Sequence, residues 1–283
     1  MKSDSPSRLP ILAVLLAATL AGSAGVFIHY IEIPATSISF IRSVIPAVLA
    51  GIWMKWKGIA FFRGNYRVML IASGLNAIRL FFFFSAYQLT SIGNAVTISY
   101  TWPIFVSLGS AWVLKETISV RNRWLMLLAF IGVGVVYANQ EFSFENQDFL
   151  GMLAALGVAI TYACVLVIFK KESNTYRPFE TIFYQNLLGI AVFLPFFWFN
   201  EPAPTPLDWS LSVGFSVLLG VIAFSFFFYG LSKLKASTAS NLAYIEIVSA
   251  FLLGTFWLGQ ELTWNMLLGE AIIMGTTFWL RKE

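Results

Sequence analysis

Four ionisable residues interrupt the apolar stretches of this chain: Arg42, Arg79, Glu246 and Glu270. At the centre of a helix in hydrocarbon each costs about 2.5 kcal/mol or more unless it is paired or hydrated. Such side chains therefore turn toward a partner, a ligand or trapped water. Three uses are open to them: structural pairing, contact with a charged substrate, and proton carriage. Arg79 is expected to contact substrate. Glu246 is the candidate proton-coupling group, or the counter-charge to an amine. Arg42 and Glu270 are the candidates for structural charge pairing. Asn76 lies one helical turn before Arg79 and shares its face. Asn241 and Tyr244 mark one side of a later apolar run. Tyr100, Trp102, Tyr162 and Tyr244 lie deep in apolar runs, where rings either stack on an aromatic or cationic ligand or pack as core. The candidate substrate-binding set is therefore Asn76, Arg79, Tyr100, Trp102, Tyr162, Asn241, Tyr244 and Glu246. Interhelical hydrogen bonding, worth about 0.6 kcal/mol per contact, competes as the explanation for the uncharged members.

Other chemistry is poorly supplied. The chain has one cysteine, Cys164, and one histidine, His29. A lone thiol and a lone imidazole make neither a disulfide nor a zinc cluster. No H-E-x-x-H, C-x-x-C or P-loop pattern occurs. No catalytic residue, metal site or cofactor is expected, and a membrane-embedded enzyme would lack its constellation.

The elements that must position these residues follow from composition. Of 283 residues, 58% are hydrophobic, 17% aromatic and only 11% charged. Soluble domains average about 25% charged residues, because water demands a polar skin. Lipid must therefore solvate most of this surface. The net charge of +4 does not point to nucleic acid. The basic residues sit in short loops between apolar runs, where they set orientation.

Apolar runs about 20 residues long cross hydrocarbon as helices. Ten are expected, at 9–30, 35–54, 68–89, 94–114, 123–140, 149–169, 180–200, 211–232, 237–258 and 263–280. Sixteen of the 18 Lys and Arg residues fall before the first run, in the even-numbered connections, or after the last. The odd-numbered connections contain none, and the remaining two, Arg42 and Arg79, lie within spans. Such a bias predicts that both termini are cytoplasmic.

The halves match in order. Ala86-Tyr87-Gln88-Leu89 parallels Phe228-Tyr229-Gly230-Leu231, Leu114-Lys115-Glu116 parallels Gly259-Gln260-Glu261, and Pro34 parallels Pro178. The offsets are 142, 145 and 144 residues. Residues 1–140 and 141–283 read as two five-helix repeats. Because five is odd, the second repeat enters the membrane in the opposite sense. Two inverted bundles suit a carrier that opens its centre to either side in turn. Gly22 and Gly25, Gly132 and Gly134, and Gly151 and Gly157 are expected to permit close helix approach.

The chain resembles the drug/metabolite transporter superfamily, in its ten-helix EamA branch. The likeness rests on Phe40-Ile41-Arg42, Ala86-Tyr87-Gln88-Leu89, Pro103, and Glu116 and Glu261 closing the fourth and ninth spans. The run Tyr100-Thr101-Trp102-Pro103 is similar to that of aromatic amino-acid exporters in this branch. The resemblance implies a carrier of the bacterial inner membrane, often an exporter of amino acids or other metabolites. It also implies a central cavity lined by spans one, three, four, six, eight and nine. One departure stands out: the branch often carries Glu-Pro in the ninth span, where this chain has Glu246-Ile247.

The expected function is alternating-access movement of a small polar or zwitterionic metabolite such as an amino acid, with export favoured by the resemblance. Proton-coupled import of a cationic or amine-bearing solute is the alternative. A passive channel is a further one, but no filter motif is visible. The expected partners are the small-molecule substrate and the lipid bilayer. Self-association as a homodimer is left open.

Overall fold

A computed structural model describes residues 8–90, 92–136, 138, 146–199, 203–259 and 263–280. All regular structure among these residues is helical. In chain order the elements are α1 (Leu9–Ala21), α2 (Ala24–Tyr30), α3 (Ala35–Trp56), α4 (Tyr66–Leu89), α5 (Ile92–Ser99), α6 (Trp102–Val113) and α7 (Val120–Val136). They continue with α8 (Asn146–Glu172), α9 (Pro178–Phe199), α10 (Pro206–Phe215), a π-helical segment (Ser216–Ala223), α11 (Phe224–Lys233), α12 (Ala236–Leu242), α13 (Ile245–Leu258) and α14 (Trp264–Leu280).

Among the described residues, seven helical stretches are long and apolar enough to cross a membrane: Leu9–Tyr30, Ala35–Trp56, Tyr66–Ala86, Gln147–Glu172, Pro178–Phe199, Pro206–Lys233 and Ala236–Leu258. The other three expected spans correspond to shorter pieces. The fourth is divided into α5 and α6, of 8 and 12 residues, and the fifth and tenth are α7 and α14, of 17 residues each. Large apolar side chains point outward all round: Trp112 is 86% exposed, Phe256 83% and Phe199 81%. In water this surface would drive aggregation; in lipid it needs no further cover.

The bundle is built from helix pairs. Helix α3 packs on α9, α4 on α8, α1 on α11 and α7 on α14. Helix α6 packs on α8 and α12, while α1 also meets α13. The main core gathers Val14, Met54, Met69, Val106, Leu166 and Phe169. A second cluster joins Ala129 and Val133 of α7 to Tyr244, Ile247 and Ile273.

Among the described residues, four of the ten expected spans are not continuous α-helix. The first breaks at Gly22-Ser23, the fourth at Tyr100-Thr101 and the ninth at Ala243-Tyr244, while the π-helical segment widens the eighth. Pro103, in the first turn of α6, explains one break: a ring without an N–H is tolerated only at a helix start. The break before Glu246 occurs without proline. Here Tyr244 N–H and Glu246 N–H bond three residues back, to Asn241 and Ala243, and the tightened turn ends α12.

Close approach explains part of the glycine pattern. A Cβ on Gly22 would overlap Ser249 Oγ and the Ala250 amide of α13, and one on Gly157 would meet the Phe82 ring at 2.7 Å. Gly132 and Gly151 are similarly crowded. Gly25 and Gly134 face open space, so their small size has no packing reason here.

One end of the bundle, rich in Lys and Arg, is tied by charged side chains. Arg63 bonds Glu180 through Nε at 2.8 Å and Nη2 at 2.9 Å, and reaches the Thr175 carbonyl at 2.7 Å. Glu180 is fully buried and also accepts the Arg177 backbone N–H. Tyr176 donates to the Arg63 carbonyl at 2.5 Å; burial raises its phenol above the ordinary value, so it stays a neutral donor. Lys170 bonds the Leu231 and Leu234 carbonyls at the C-terminal end of α11. Glu116 accepts the Ala236 N–H that opens α12, at 2.8 Å. At the opposite end, Asp208 caps its own helix with Thr205 and accepts the Glu32 N–H at 2.9 Å.

Candidate functional site

The site grows from α4. Asn76 and Arg79 are one turn apart, and Asn76 Oδ1 accepts Arg79 Nε–H at 3.0 Å. The Asn76 amide nitrogen donates to the Gln185 carbonyl of α9, also at 3.0 Å. Asn76 is thereby locked, and it aims the guanidinium of Arg79 across the interior. That guanidinium lies over the Tyr162 ring of α8, 4.9 Å from its centroid. Tyr162 in turn meets Trp102 of α6 edge-on, with centroids 4.9 Å apart. Three helices therefore build a continuous chain of contacts from Asn76 to Trp102.

Arg42 enters from α3. Its guanidinium sits 5.9 Å from the centroids of both Phe215 and Phe224. These rings flank the π-helical segment, nine residues apart. At about 100° per residue, an unbroken α-helix would place them on opposite sides. The slower i→i+5 winding of Ser216–Ala223 brings both onto one face. Gly220, within that segment, lets the Pro46 ring of α3 approach to where a Cβ would be 2.5 Å from Pro46 Cγ.

Glu246 comes from the second residue of α13, just after the break. Tyr100 makes a side-chain hydrogen bond to its carboxylate. Arg42, Arg79, Tyr162 and Glu246 all lie within electrostatic reach of one another. Residues from α3, α4, α8 and α13 thus share one polar centre, with Tyr100 attached through Glu246.

The remaining expected residues fall elsewhere or play packing parts. Tyr244 is fully buried; its hydroxyl donates to the Tyr100 carbonyl at 3.0 Å and its ring stacks on Tyr100 at 6.4 Å. Asn241 donates to Asn122 Oδ1 of α7 at 2.6 Å. Trp102 is 7% exposed and is joined to the centre through the Tyr162 ring. Arg42 and Glu270 are not brought together. Arg42 joins the central group, whereas Glu270 is buried on α14 and its Oε1 has no hydrogen-bond partner among the described residues. The reason is topological: α14 packs on α7 at the periphery, and α3 on α9 and the π-helical segment. Glu261 and the Tyr87 side chain lie outside the described residues.

Sequence reasoning missed the aromatic seat of Arg42 and the Arg63–Glu180 pair. Phe215 and Phe224 are two of 28 phenylalanines, with no local signal to set them apart. Glu180 sits two residues after Pro178, where an acidic residue reads only as a favourable first-turn charge.

No group of three or more His, Cys, Asp or Glu able to hold a metal occurs among the described residues. A groove of about 570 Å³ between α1, α9 and α11 is lined almost wholly by apolar atoms, including Leu12, Leu16, Phe179 and Phe226. It opens on the outer surface of the bundle and does not include the charged centre.

Comparison with known proteins bears on the fold and the family. A crystal structure superposes with a TM-score of 0.82 at 18% identity, covering 96% of this chain and 98% of its own, a likeness of fold. An uncharacterized transporter of Archaeoglobus fulgidus is 26% identical over 272 residues, covering 93% of this chain and 92% of its own length. The pseudopaline exporter CntI of Pseudomonas aeruginosa is 28% identical over 229 residues, covering 80% and 78%. Solute carrier family 35 member G1 of mouse is 23% identical over 292 residues, covering 95% and 77%. The model of the EamA-like transporter family matches twice, over residues 8–138 and 149–281. Taken with the apolar helices and the charges gathered at their centre, these matches show that the chain belongs to the EamA-like transporter family and is a multi-pass membrane transporter of small molecules, not an enzyme.

Proposed function

We propose that this protein is a secondary transporter that moves a small polar or zwitterionic metabolite, an amino acid or related compound, by alternating access. Substrate binds at the centre defined by Arg42, Arg79, Tyr162 and Glu246. The observation that carries this reading is the convergence of those four side chains from four helices inside an apolar bundle. Charge placed at that depth costs several kcal/mol unless function or pairing retains it.

Two inverted repeats, 1–140 and 141–283, supply the moving parts. Support comes from the helix pairs, which map onto one another when each span is replaced by its counterpart five later. The contact of α4 with α8 maps onto that of α11 with α1, α3 with α9 onto itself, and α7 with α14 onto itself. The double match of one family model favours the same division. The three shorter pieces then complete ten spans, with both termini in the cytoplasm as the basic loops require. The tied, basic end is the cytoplasmic gate.

Export across a bacterial inner membrane is favoured by the relative named as an exporter. Glu246, hydrogen-bonded to Tyr100 beside two guanidiniums, is the group placed to exchange a proton for substrate. Counterflow in proteoliposomes tests the reading: labelled solute should accumulate transiently against an excess of unlabelled solute inside. Flux that rises linearly with concentration and shows no counterflow would replace the carrier with a channel.

A further inference from the structure

Two guanidiniums lie within electrostatic reach of one carboxylate, that of Glu246, at the centre of the bundle. Each arginine is seated chiefly by rings: Arg42 on Phe215 and Phe224, and Arg79 on Tyr162. Rings hold a cation in place without consuming its in-plane N–H donors. Only Arg79 Nε is used, by Asn76; among the described residues no acceptor takes the Arg79 terminal nitrogens or any nitrogen of Arg42. Glu246 does not discharge them. The ion pair formed among the described residues is Arg63–Glu180, at the basic end. Whatever the protonation of Glu246, the centre keeps at least one positive charge in excess. Like charges held within reach of each other repel, and a guanidinium presents its free donors as a planar fork that matches a carboxylate.

We propose that Arg42 and Arg79 form a two-pronged cradle for a carboxylate of the substrate, and that the transported metabolite carries more acidic than basic groups. This rests on the transport reading above and narrows it. An amino dicarboxylate fits: one carboxylate bridges the two arginines, while its amine faces Glu246 and Tyr162. A simple amine or diamine would bring a third cation to two and is rejected.

The test uses the purified full chain in nanodiscs at constant ionic strength. Thermal stabilisation is titrated with L-glutamate, succinate, L-glutamine, putrescine and inorganic phosphate. L-glutamate and succinate should stabilise at concentrations at least tenfold lower than L-glutamine, and putrescine not at all. Arg42→Gln and Arg79→Gln should each weaken the carboxylate response at least tenfold, and Arg42→Lys and Arg79→Lys by less. Where a Gln variant fails to fold, the Lys variants and the ligand series decide.

Equal response to L-glutamate and L-glutamine, stabilisation by putrescine, no response to either carboxylate, or unchanged titrations in the Arg variants would each overturn the cradle. Phosphate acting at lower concentration than the carboxylates would also overturn it, in favour of a phosphorylated solute. Counterflow separates the two readings. Carboxylate binding without counterflow removes the carrier and leaves the cradle. Counterflow of neutral solutes that survives both Gln substitutions removes the cradle and leaves the carrier.

Discussion

Tyr244 donates its phenolic hydrogen to the backbone carbonyl of Tyr100, 144 residues earlier, and the two rings stack. Both residues stand where a helix is interrupted, at the α5–α6 and α12–α13 breaks. At the first of these, Ile104 N–H turns to the Thr101 carbonyl, releasing the Tyr100 carbonyl from the regular ladder. Tyr244 satisfies that freed group inside the bundle, where water is scarce. The two broken helices are therefore each other's support, and the break in α12–α13 needs no proline because tertiary contact stabilises it.

Replacing Tyr244 by Phe keeps the ring and removes the donor. Stability should fall by about 1 kcal/mol, and more if the carbonyl stays dry. Differential scanning fluorimetry reads this as a lower melting temperature; an unchanged value would mean that water already serves the Tyr100 carbonyl.

Gly22 and Gly25 separate packing from mere smallness. Gly22→Leu forces α1 away from Ser249 and the start of α13, costing about 1–3 kcal/mol and transport with it. Gly25→Leu meets open space and should change stability by less than about 0.5 kcal/mol. Similar melting curves for the two variants would refute the close contact.

The Arg63–Glu180 pair should hold the basic end shut. Arg63 is 37% exposed and Glu180 not at all, so Arg63→Ala leaves a buried carboxylate short of its main donor. The loss is about 2 kcal/mol, with solvent screening on the arginine side reducing any larger figure. A cysteine placed near Tyr162 should become more reactive to thiol reagents from the basic side in Arg63→Ala. Unaltered reactivity would remove the pair from the gate.

Glu246→Gln keeps a partner for Tyr100 but fixes the charge. If Glu246 exchanges a proton with each transport cycle, counterflow by the wild type varies with pH and the variant's does not. A variant that retains the full pH profile assigns the proton to another group. Arginine binding to substrate, by contrast, should survive this substitution.

Much of the architecture was legible in the chain. A composition with too few charges for water demands lipid, and uninterrupted apolar runs in lipid must be helical, because every backbone group has to bond within its own segment. The four charges within spans announced a polar centre for the same energetic reason. Three of them, Arg42, Arg79 and Glu246, lie within electrostatic reach of one another. The fourth, Glu270, shows where that logic stops: depth in the membrane follows from position along the chain, but the direction a residue faces depends on which helix packs beside it.

The sequence by itself determined the solvent, the helices and the presence of a charged interior. Only the tertiary structure decided that Arg42 sits with Arg79, Tyr162 and Glu246 and not with Glu270, that Tyr244 closes a gap left by Tyr100, and that Arg63 locks Glu180. These depend on contacts between residues far apart in the chain, 144 positions for Tyr244 and Tyr100, 117 for Arg63 and Glu180, and 173 for Arg42 and Phe215. Hydropathy is nearly uniform around α1, α4 and α8, so no periodic stripe marks the inner face of these helices. Orientation is set by shape: a glycine that admits a neighbour, a proline that ends a turn, and a π-helical segment that rotates two phenylalanines onto one side.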